Sequence, residues 1–475
     1  MKWVIRVIGL LLSVLSFQAC EREFVFRGGE DGLAFSTDTV MFDTIFTSIG
    51  STTKSFLVYN PYSEDLSIEG IQLAGGDESD FRLNINGYSE NELMDVRVRS
   101  KDSLFIFVEV TIDPVGSNTP YVVTDSILFY TSQKMQAVKL VAYGQDVVLM
   151  RKKVLKSQTL TSDKPYLIYD YVMVDTAETV SIDPGARLYF YKDASMVVHG
   201  SLEVNGTLEE PVVFTGHRQE EWYADKPGQW GYIHLMPKSG QSKLNHAIIK
   251  NGLMGILADS VGTGESGALK INNCRIEHTS TYGLLTQTSK VDVTNTVFGD
   301  CGKNAVALTV GGEYSFTHCT FANYFEWAIR TSPTIFLNNY FIDESENKQV
   351  VPLKKADFLN CIIHGRNPNE LGFDIELREG EFAKTDAMYM FDHALIRLAD
   401  DFDISDNNHF RNIITDEKPS FINIDEYNYQ LDTLSAAKDF GKLEYGEMVP
   451  KDIFEVSRLE DEGPDLGAFE RQEEE

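Results

Sequence analysis

Short runs of alternating apolar and polar residues fill the chain from position 33 to about position 148. They are separated by Gly, Pro, Asn and Asp, which are the residues that dominate turns. The runs read FSTDTVMFDTIF, KSFLVYNP, LSIEGIQLAG, FRLNING, SLFIFVEVTIDP, DSILFYTS and AVKLVAYG. Alternation places every second side chain on one face of a strand, so each run predicts a strand with one buried face. Such a series without helical periodicity predicts a β-sandwich over residues 33–148.

A different pattern recurs in the second part of the chain, in NHAIIK, NNCRIE, TNTVFG, THCTFA, LNCIIH, DHALIR and RNIIT. In each segment a small or polar residue is followed two positions later by an apolar one. We call the first of these positions the slot; the slots are Ala247, Cys274, Thr296, Cys319, Cys361, Ala394 and Asn412. Because positions i and i+2 share one face of a strand, the slot and its apolar companion are expected to point inward.

The spacing of the slots predicts a solenoid. Cys274, Thr296 and Cys319 are separated by 22 and 23 residues, which is the length of one coil. A leucine-rich repeat has a similar period, but its Leu-x-x-Leu-x-Leu spacing is missing. The sequence therefore predicts an all-β chain, in which a right-handed parallel β-helix over residues 149–440 follows the sandwich. Residues 441–475 are predicted to form a C-terminal cap and an acidic tail.

The position before each slot is polar, and it predicts a hydrogen-bonded column along the solenoid. The column consists of His246, Asn273, Asn295, His318, Asn360 and His393. Cysteines in the slots are interpreted as small buried residues, because free cysteine behaves as a hydrophobe. Cys274 and Cys319 are two coils apart, ~9.6 Å, which is too far for a disulfide. Cys301 is predicted to lie in a turn.

The N-terminus predicts export and a lipid anchor. Two basic residues precede an apolar run from Val7 to Phe17, which is too short to span a bilayer and fits a signal peptide. Ala19 and Cys20 follow, and the segment resembles a bacterial lipoprotein signal. Residues 1–19 are therefore predicted to be the signal peptide, Cys20 the lipidation site and residues 20–32 a tether. Simple secretion with an incidental cysteine is the alternative.

Charge narrows the range of partners. The chain has 72 acidic and 42 basic residues and a net charge of −30. Such a surface repels the phosphates of nucleic acids, so no nucleic-acid partner is expected. Acidity also favours solubility, which is the simpler explanation of the composition.

Four stretches carry a resemblance to a known family: LAFSTDTVMFDTIFTSIGSTTKSFLVYNP, GSLEVNGTLEEPVVFTGHR, PGQWGYIHL and GPDLGAFE. With them, the chain resembles right-handed parallel β-helix lipoproteins of Bacteroidota. Residues 33–148 resemble the Hydin-type immunoglobulin-like domains that accompany many bacterial surface domains. The resemblance implies an architecture and a place in the cell envelope. It implies no reaction, because most such proteins have no assigned activity.

Catalysis has to be tested residue by residue, since β-helices include polysaccharide lyases and glycoside hydrolases. A lyase needs carboxylates on adjacent coils for Ca²⁺ and a base to take a proton. The outward positions beside the slots carry one charge, Arg275, and no column of acids appears three residues after the slots. Asp259, Asp292 and Arg330 could converge from other stretches, and a hydrolase's carboxylate pair could lie among the many acids. No catalytic residue is assigned.

Two other groups of residues are candidates for binding. Trp222, Trp230 and Trp327 could stack on sugar rings if they are exposed, although most such aromatics belong to the core. The run ADDFDISDNN could hold Ca²⁺ through its four carboxylates, those of Asp400, Asp401, Asp403 and Asp406. It lacks the Gly and terminal Glu of an EF-hand loop, so a solvated loop is the simpler interpretation and no metal site or cofactor is assigned.

The sequence favours a lipid-anchored envelope protein without catalytic activity, which serves as a binding or assembly scaffold at the outer membrane. Its expected partners are the membrane, through the anchor, and envelope proteins or glycans. The alternative is a polysaccharide lyase, a glycoside hydrolase or a glycan-binding module built on the same β-helix. The cell-surface and periplasmic faces of the membrane both remain open.

Overall fold

The computed structural model describes residues 32–132, 134–263, 267–378, 387–415, 417–460 and 462–471. The predicted signal peptide, Cys20 and nearly all of the predicted tether lie outside these residues. Contacts divide the chain into two units, Met1–Asp146 and Val147–Glu475. No helix within the described ranges has the length and apolar character needed to cross a bilayer.

Within its described residues, 32–132 and 134–146, the first unit forms two sheets. The strands are β1 (Ala34–Phe35), β2 (Thr39–Phe46), β3 (Lys54–Tyr59), β4 (Leu66–Leu73), β5 (Phe81–Ile85), β6 (Glu92–Val98), β7 (Ser103–Val110), β8 (Tyr121–Tyr130) and β9 (Met135–Gln145). One sheet has the order β1-β3-β7-β5 and the other β2-β9-β8-β4-β6. Neighbouring strands are antiparallel except β2 and β9, which are parallel.

Alternation explains the core of this unit. In β7, every second residue from Leu104 to Val110 is buried. Residues of both sheets, such as Val58 and Ile106 from one and Ile71 and Phe129 from the other, belong to a single apolar cluster. The sequence pattern missed β6, because most of its residues are not buried and its apolar alternation is weak.

The second unit is a parallel β-helix. Its stacked strands are β10 (Val148–Leu155), β11 (Gln158–Leu160), β12 (Tyr166–Val174), β13 (Thr179–Ile182), β14 (Arg187–Phe190), β15 (Ser195–Val198), β16 (Ser201–Asn205), β17 (Val212–Gly216), β18 (Ile233–Leu235), β19 (Lys243–Asn245), β20 (Ala247–Lys250), β21 (Ile256–Asp259), β22 (Leu269–Asn272), β23 (Arg275–Thr279), β24 (Leu284–Thr294), β25 (Val297–Cys301), β26 (Val306–Thr317), β27 (Thr320–Asn323), β28 (Ile335–Asn338), β31 (Leu353–Gly365), β32 (Leu371–Asp374), β33 (Met390–Ile396) and β34 (Phe410–Ile414). A hairpin of β29 (Tyr340–Ile342) and β30 (Lys348–Val350) interrupts the series. The stacked strands end at β34, and β35 (Phe421–Asn423), β36 (Asn428–Leu431) and the helix α1 (Leu443–Met448) follow them.

The parallel pairings of the described strands fall into three stacks. One runs through β14, β17, β20, β23, β25, β27 and the end of β31. A second runs through β15, β18, β21 and the starts of β24 and β26, and a third through β16, β19, β22 and the ends of β24 and β26. Each coil thus adds one rung to three sheets that enclose a single apolar core.

The predicted slot register is confirmed for six of the seven segments. Val297 pairs with Arg275 and Thr320, and Cys361 pairs with Ala394, so the slots stack as aligned. The last segment was misaligned by one residue, because Ala394 pairs with Ile413 and not with Asn412. Asn412 instead continues the polar column that precedes the slots.

This polar column is a ladder of left-handed residues. His246, Asn273, Asn295, His318, Asn360, His393 and Asn412 all have positive φ, between 45° and 52°. Asn and His tolerate this conformation better than most residues. The predicted hydrogen bonds along the column are confirmed: Asn295 Nδ2 donates to Asn273 Oδ1 at 3.0 Å, and Asn360 Nδ2 lies 3.1 Å from His318 Nε2. The ladder therefore gives corner side chains from His246 onward hydrogen-bond partners on neighbouring coils.

The four described cysteines are free and fully buried. Cys274, Cys319 and Cys361 occupy slots, as predicted. Cys301 corrects the prediction of a turn, because it ends β25 inside the core, with its Sγ 3.3 Å from the carbonyl oxygen of Gly299. Burial raises the pKa of the Cys274 and Cys301 thiols to about 12, so both stay protonated at neutral pH.

The C-terminal residues cover one side of the β-helix. We call residues 417–471 the covering segment. It buries the outward side chains of Val297, Ile362 and Leu395 in two apolar clusters, together with Tyr429, Leu431, Leu466 and Phe469. The cover therefore begins around β35, before the predicted boundary at 441, and lies against the side of the coils.

The GPDLGAFE motif attaches this segment. Gly467 has φ +89°, and a Cβ there would meet Thr320 Oγ1 at 2.5 Å. The amide of Ala468 donates to the same Oγ1 at 2.9 Å, and Arg458 Nη1 lies 2.9 Å from Glu470 Oε2 in a fully buried ion pair. Close approach of the backbone at Gly467 thus requires glycine.

Candidate functional site

Trp230 belongs to the core. Its side chain is 1% exposed, its ring stacks on Phe190 at 4.2 Å, and its Nε1 donates to the carbonyl of Lys250 at 2.7 Å. A ring without solvent contact is not available to a sugar, which corrects the suggestion that Trp230 contacts a glycan.

Trp222 and Trp327 lie at the surface. They are 68% and 43% exposed, and their rings meet edge to face at 5.9 Å. Trp222 is on a short 3-10 turn, Glu221–Tyr223, in the loop between β17 and β18, and Trp327 is in the loop between β27 and β28. Two loops from different coils therefore bring the rings together.

Two of the four carboxylates in residues 400–406 accept hydrogen bonds from backbone amides of their own loop. Asp403 Oδ1 accepts from the amide of Ser405 at 2.9 Å, and hydrogen bonds from Ser405 lower the pKa of Asp403. Asp406 Oδ1 accepts from the amide of Asn408, also at 2.9 Å, while Asp400 and Asp401 are exposed. In the part of the chain that the structure describes, no group of three or more His, Cys, Asp or Glu side chains is placed to hold a metal ion.

A charged network joins β20 and β23 to Asp225, which follows Trp222 by three residues. Glu277 Oε2 lies 3.0 Å from Arg275 Nη2, and Asp225 Oδ1 lies 3.6 Å from His278 Nε2 and 3.7 Å from Lys250 Nζ. Burial is the largest single influence and would raise the pKa of Glu277, but the charges of Arg275, His278 and Lys250 and the hydrogen bond from Arg275 together outweigh it and lower the pKa. Glu277 is therefore a buried carboxylate held in its ionised form.

The next coil carries a second buried carboxyl group, that of Asp300, whose pKa is raised and not lowered. Asp300 is 2% exposed, and the Tyr429 hydroxyl donates to its Oδ2. Burial raises the pKa of Asp300 to about 7, although the hydrogen bond from Tyr429 opposes the rise. Glu277 and Asp300 are thus neighbouring carboxyl groups whose pKa values are pushed apart.

Tyr427 of the covering segment closes the group. Its ring lies 4.4 Å from that of His278, nearly perpendicular to it, and its carbonyl accepts from Arg275 Nη2 at 3.3 Å. Burial and the nearby carboxylates of Asp300, Asp225, Glu326 and Glu277 raise the pKa of Tyr427 to about 12. We call Trp222, Asp225, Glu277, Asp300, Glu326, Trp327 and Tyr427 the aromatic–acidic cluster.

Asp259, Asp292 and Arg330, for which the sequence left convergence open, do not converge. Asp259 ends β21 and Asp292 lies in the second half of β24, on different stacks. Arg330 is buried and forms a two-pronged ion pair with Glu370, at 2.6 and 2.8 Å.

The sequence carried a signal for part of the cluster. Asn251, His278, Asp300 and Asn323 lie four residues after their slots and form a polar column. The search for acids in the sequence extended only to the third residue after each slot. Tyr427 had no such signal, because it reaches the site from outside the repeats.

The family described as the right-handed β-helix region matches residues 233–341. This supports an all-β chain with a right-handed β-helix in its second unit. No curated protein sequence matches the chain.

Among solved structures, the chain is similar to a family 123 glycoside hydrolase from Clostridium perfringens, studied for glycolipid glycan hydrolysis, at 7% identity and a TM-score of 0.18. That likeness covers 26% of this chain and only 30% of the hydrolase. The ASH/PapD-like domain 7 of human CEP192 is 9% identical, with 24% of this chain and 84% of that one covered and a TM-score of 0.17. The catalytic unit of a GH87 α-1,3-glucanase from Streptomyces thermodiastaticus is 9% identical, with 72% and 79% covered and a TM-score of 0.21. At these values none of the three likenesses supports an inference about activity.

Proposed function

We propose that this chain is a lipid-anchored protein of the outer membrane whose β-helix binds a glycan at the aromatic–acidic cluster. The observation that carries the binding proposal is the exposed pair of Trp222 and Trp327, whose near neighbours in the chain, Asp225 and Glu326, act electrostatically on Tyr427. Aromatic faces bind sugar rings, and carboxyl groups bind their hydroxyls. No cofactor is needed for such binding.

The membrane attachment rests on the sequence alone. The features that support it are the apolar run before Ala19–Cys20 and the resemblance to lipoproteins of Bacteroidota. In this proposal the first unit is an immunoglobulin-like sandwich that lies close to the membrane, and its two sheets with one shared core are compatible with that assignment.

Glycan binding is tested with Trp222→Ala and Trp327→Ala in the detergent-solubilised full chain. Each variant should lower affinity for a bound oligosaccharide about 10-fold, because loss of one stacking face costs ~1–1.5 kcal/mol. Tyr88→Ala, which removes an exposed ring in the first unit, serves as the control. Calorimetric titration that finds the two tryptophan variants equal to the wild type would refute the proposed site.

The anchor is tested with Cys20→Ala. This change should release the protein from the membrane fraction or leave an uncleaved precursor, since the acylated thiol is lost. Fractionation and intact mass decide the matter. A mature wild-type protein that is soluble with an unmodified Cys20 would contradict the anchor.

Glycoside hydrolysis is a second candidate, favoured by one observation. The raised pKa of Asp300 suits a general acid, and the ionised Glu277 suits a base or nucleophile. Both carboxyls are buried beneath Tyr427 and Tyr429, which favours binding over turnover in this conformation. Release of reducing ends from neutral glycans, lost in Asp300→Asn, would favour the hydrolase.

A further inference from the structure

Tyr427 has an unusual backbone conformation. It ends the 3-10 turn Ile424–Glu426 between β35 and β36 with φ 56° and ψ 27°, in the left-handed region. Other positive-φ residues of this chain are mostly Asn, Asp, His, Ser or Lys. A bulky residue in this region is an outlier, and such outliers concentrate at functional sites. A turn at this place would be served better by glycine, so the conformation calls for a role of the side chain.

The tyrosine ring occupies the space above the inner part of the aromatic–acidic cluster. It lies against the His278 ring, and burial together with the surrounding carboxylates raises its pKa to about 12. The hydroxyl therefore stays protonated and is presented as a neutral donor among carboxylates. A pyranose chair is also six-membered and carries hydroxyls around its edge, so one neutral sugar unit has the size to fill the same space.

Asp300, which acts electrostatically on Tyr427, has unused hydrogen-bonding capacity. An interaction with the Tyr324 amide lowers the pKa of the Asp300 carboxyl. Among the described residues, Oδ1 of Asp300 is nevertheless buried without a well-formed hydrogen bond. Buried polar atoms are nearly always satisfied, so each exception needs an explanation. A hydroxyl donated by a ligand would satisfy this oxygen.

We infer that Tyr427 is an internal occupant of a sugar subsite, and that its ring gives way to one pyranose unit of a neutral glycan when the 424–427 loop opens. This inference rests on the proposed glycan binding and deepens it by adding an inner subsite against His278, within the electrostatic reach of Glu277 and Asp300. Asp225, Glu277 and Glu326 are each paired with a cation, namely Lys250, Arg275 and Arg366 respectively. These cations are therefore already neutralised and give uronic acids and other anionic sugars no advantage in that subsite.

The test uses Tyr427→Gly in the full chain. Glycine accepts the left-handed conformation without a penalty and removes the ring, so the fold should persist while the subsite opens. Affinity for neutral hexasaccharides of the cello, laminari and malto series should rise at least 10-fold for one series, whereas alginate oligosaccharides should gain nothing. Tyr427→Asn should behave like the glycine variant, and Tyr427→Phe, which keeps the ring, should behave like the wild type.

A second measurement reports opening without any glycan. His278 is buried under Tyr427, and its modification by diethyl pyrocarbonate, followed by peptide mass spectrometry, should accelerate at least 10-fold in Tyr427→Gly. A folded Tyr427→Gly protein with unreactive His278, or with reactive His278 and no gain in affinity for any neutral series, overturns the inference. If affinity rises in Tyr427→Gly but Trp222→Ala has no effect, the inner subsite stands and the proposed tryptophan contact fails.

Discussion

The early and late coils of the β-helix differ at one column of outward positions. Val213, Ile248 and Arg275 are half-buried, whereas Val297, Thr320, Ile362 and Leu395 are completely buried beneath the covering segment. The two sets occupy equivalent places in the same stack of strands. An outward position of a solenoid is therefore exposed only if no other part of the chain covers it, and runs of apolar residues in such a column indicate a cover.

The largest expected effect comes from placing a charge in this column. Ile362→Asp should lower the free energy of unfolding by at least about 4 kcal/mol or prevent folding, because the carboxylate would be buried without a partner. Ile248→Asp changes the same residue type on an uncovered coil and should cost only ~1 kcal/mol. Urea denaturation compares the two, and equal losses would show that the cover contributes nothing.

The buried ion pair of the covering segment should matter slightly less. Arg458→Met removes the positive charge that is paired with the buried Glu470 carboxylate and also the bond from Nη2 to Asn295 Oδ1 at 3.0 Å, at a cost of about 3–5 kcal/mol. Lys451→Met breaks the exposed pair with Glu455 and should cost less than ~1 kcal/mol. Denaturation gives the size of the loss, and hydrogen exchange shows whether residues 417–471 open first. Uniform exchange across the β-helix would argue against a separately docked segment.

Two carboxyl groups at the border between covered and uncovered coils, Asp300 and Glu277, should contribute to stability with opposite pH dependences. Asp300 has a raised folded pKa, so its favourable contribution is present below the unfolded pKa of 3.8 and is lost as pH rises through about 7. The free energy of unfolding of Asp300→Asn, relative to that of the wild type, should therefore increase by about 2–4 kcal/mol as pH rises from about 4 to about 8. Glu277 has a lowered pKa, so Glu277→Gln should destabilise at neutral pH and lose that effect on acidification. Parallel profiles for both variants would contradict the assignment.

The sequence predicted what is periodic and missed what is brought in from outside the repeats. Slot spacing predicted the register from Ala247 to Ala394, because inward-facing positions at i and i+2 repeat with every coil. The error at Asn412 arose because a left-handed corner residue resembles a polar slot residue. Trp222 and Trp230 are eight positions apart in similar surroundings, and only the fold separates the exposed ring from the buried one.

The candidate site was less predictable for a physical reason. Asp300 and Tyr429 meet across 129 residues of sequence, through a segment that packs against the side of the coils. Docking of this kind depends on the shape and polarity of the completed surface, and no local spacing records it. The polar column containing His278 and Asp300 could be found from the repeats, but its partners Tyr427 and Tyr429 could not.

The ladder of left-handed Asn and His residues has a consequence for how such a protein can change over evolution. From His246 to Asn412 the ladder marks the corners of the coils, so residues can be inserted elsewhere in such a coil without shifting the strands that follow. The coil between Thr320 and Ile362 is longer than the one between Arg275 and Val297, yet both pairs are in register. The additional residues include the loop that carries Trp327. New binding surfaces can thus be acquired by loop insertion, while the inherited scaffold and its stability stay the same.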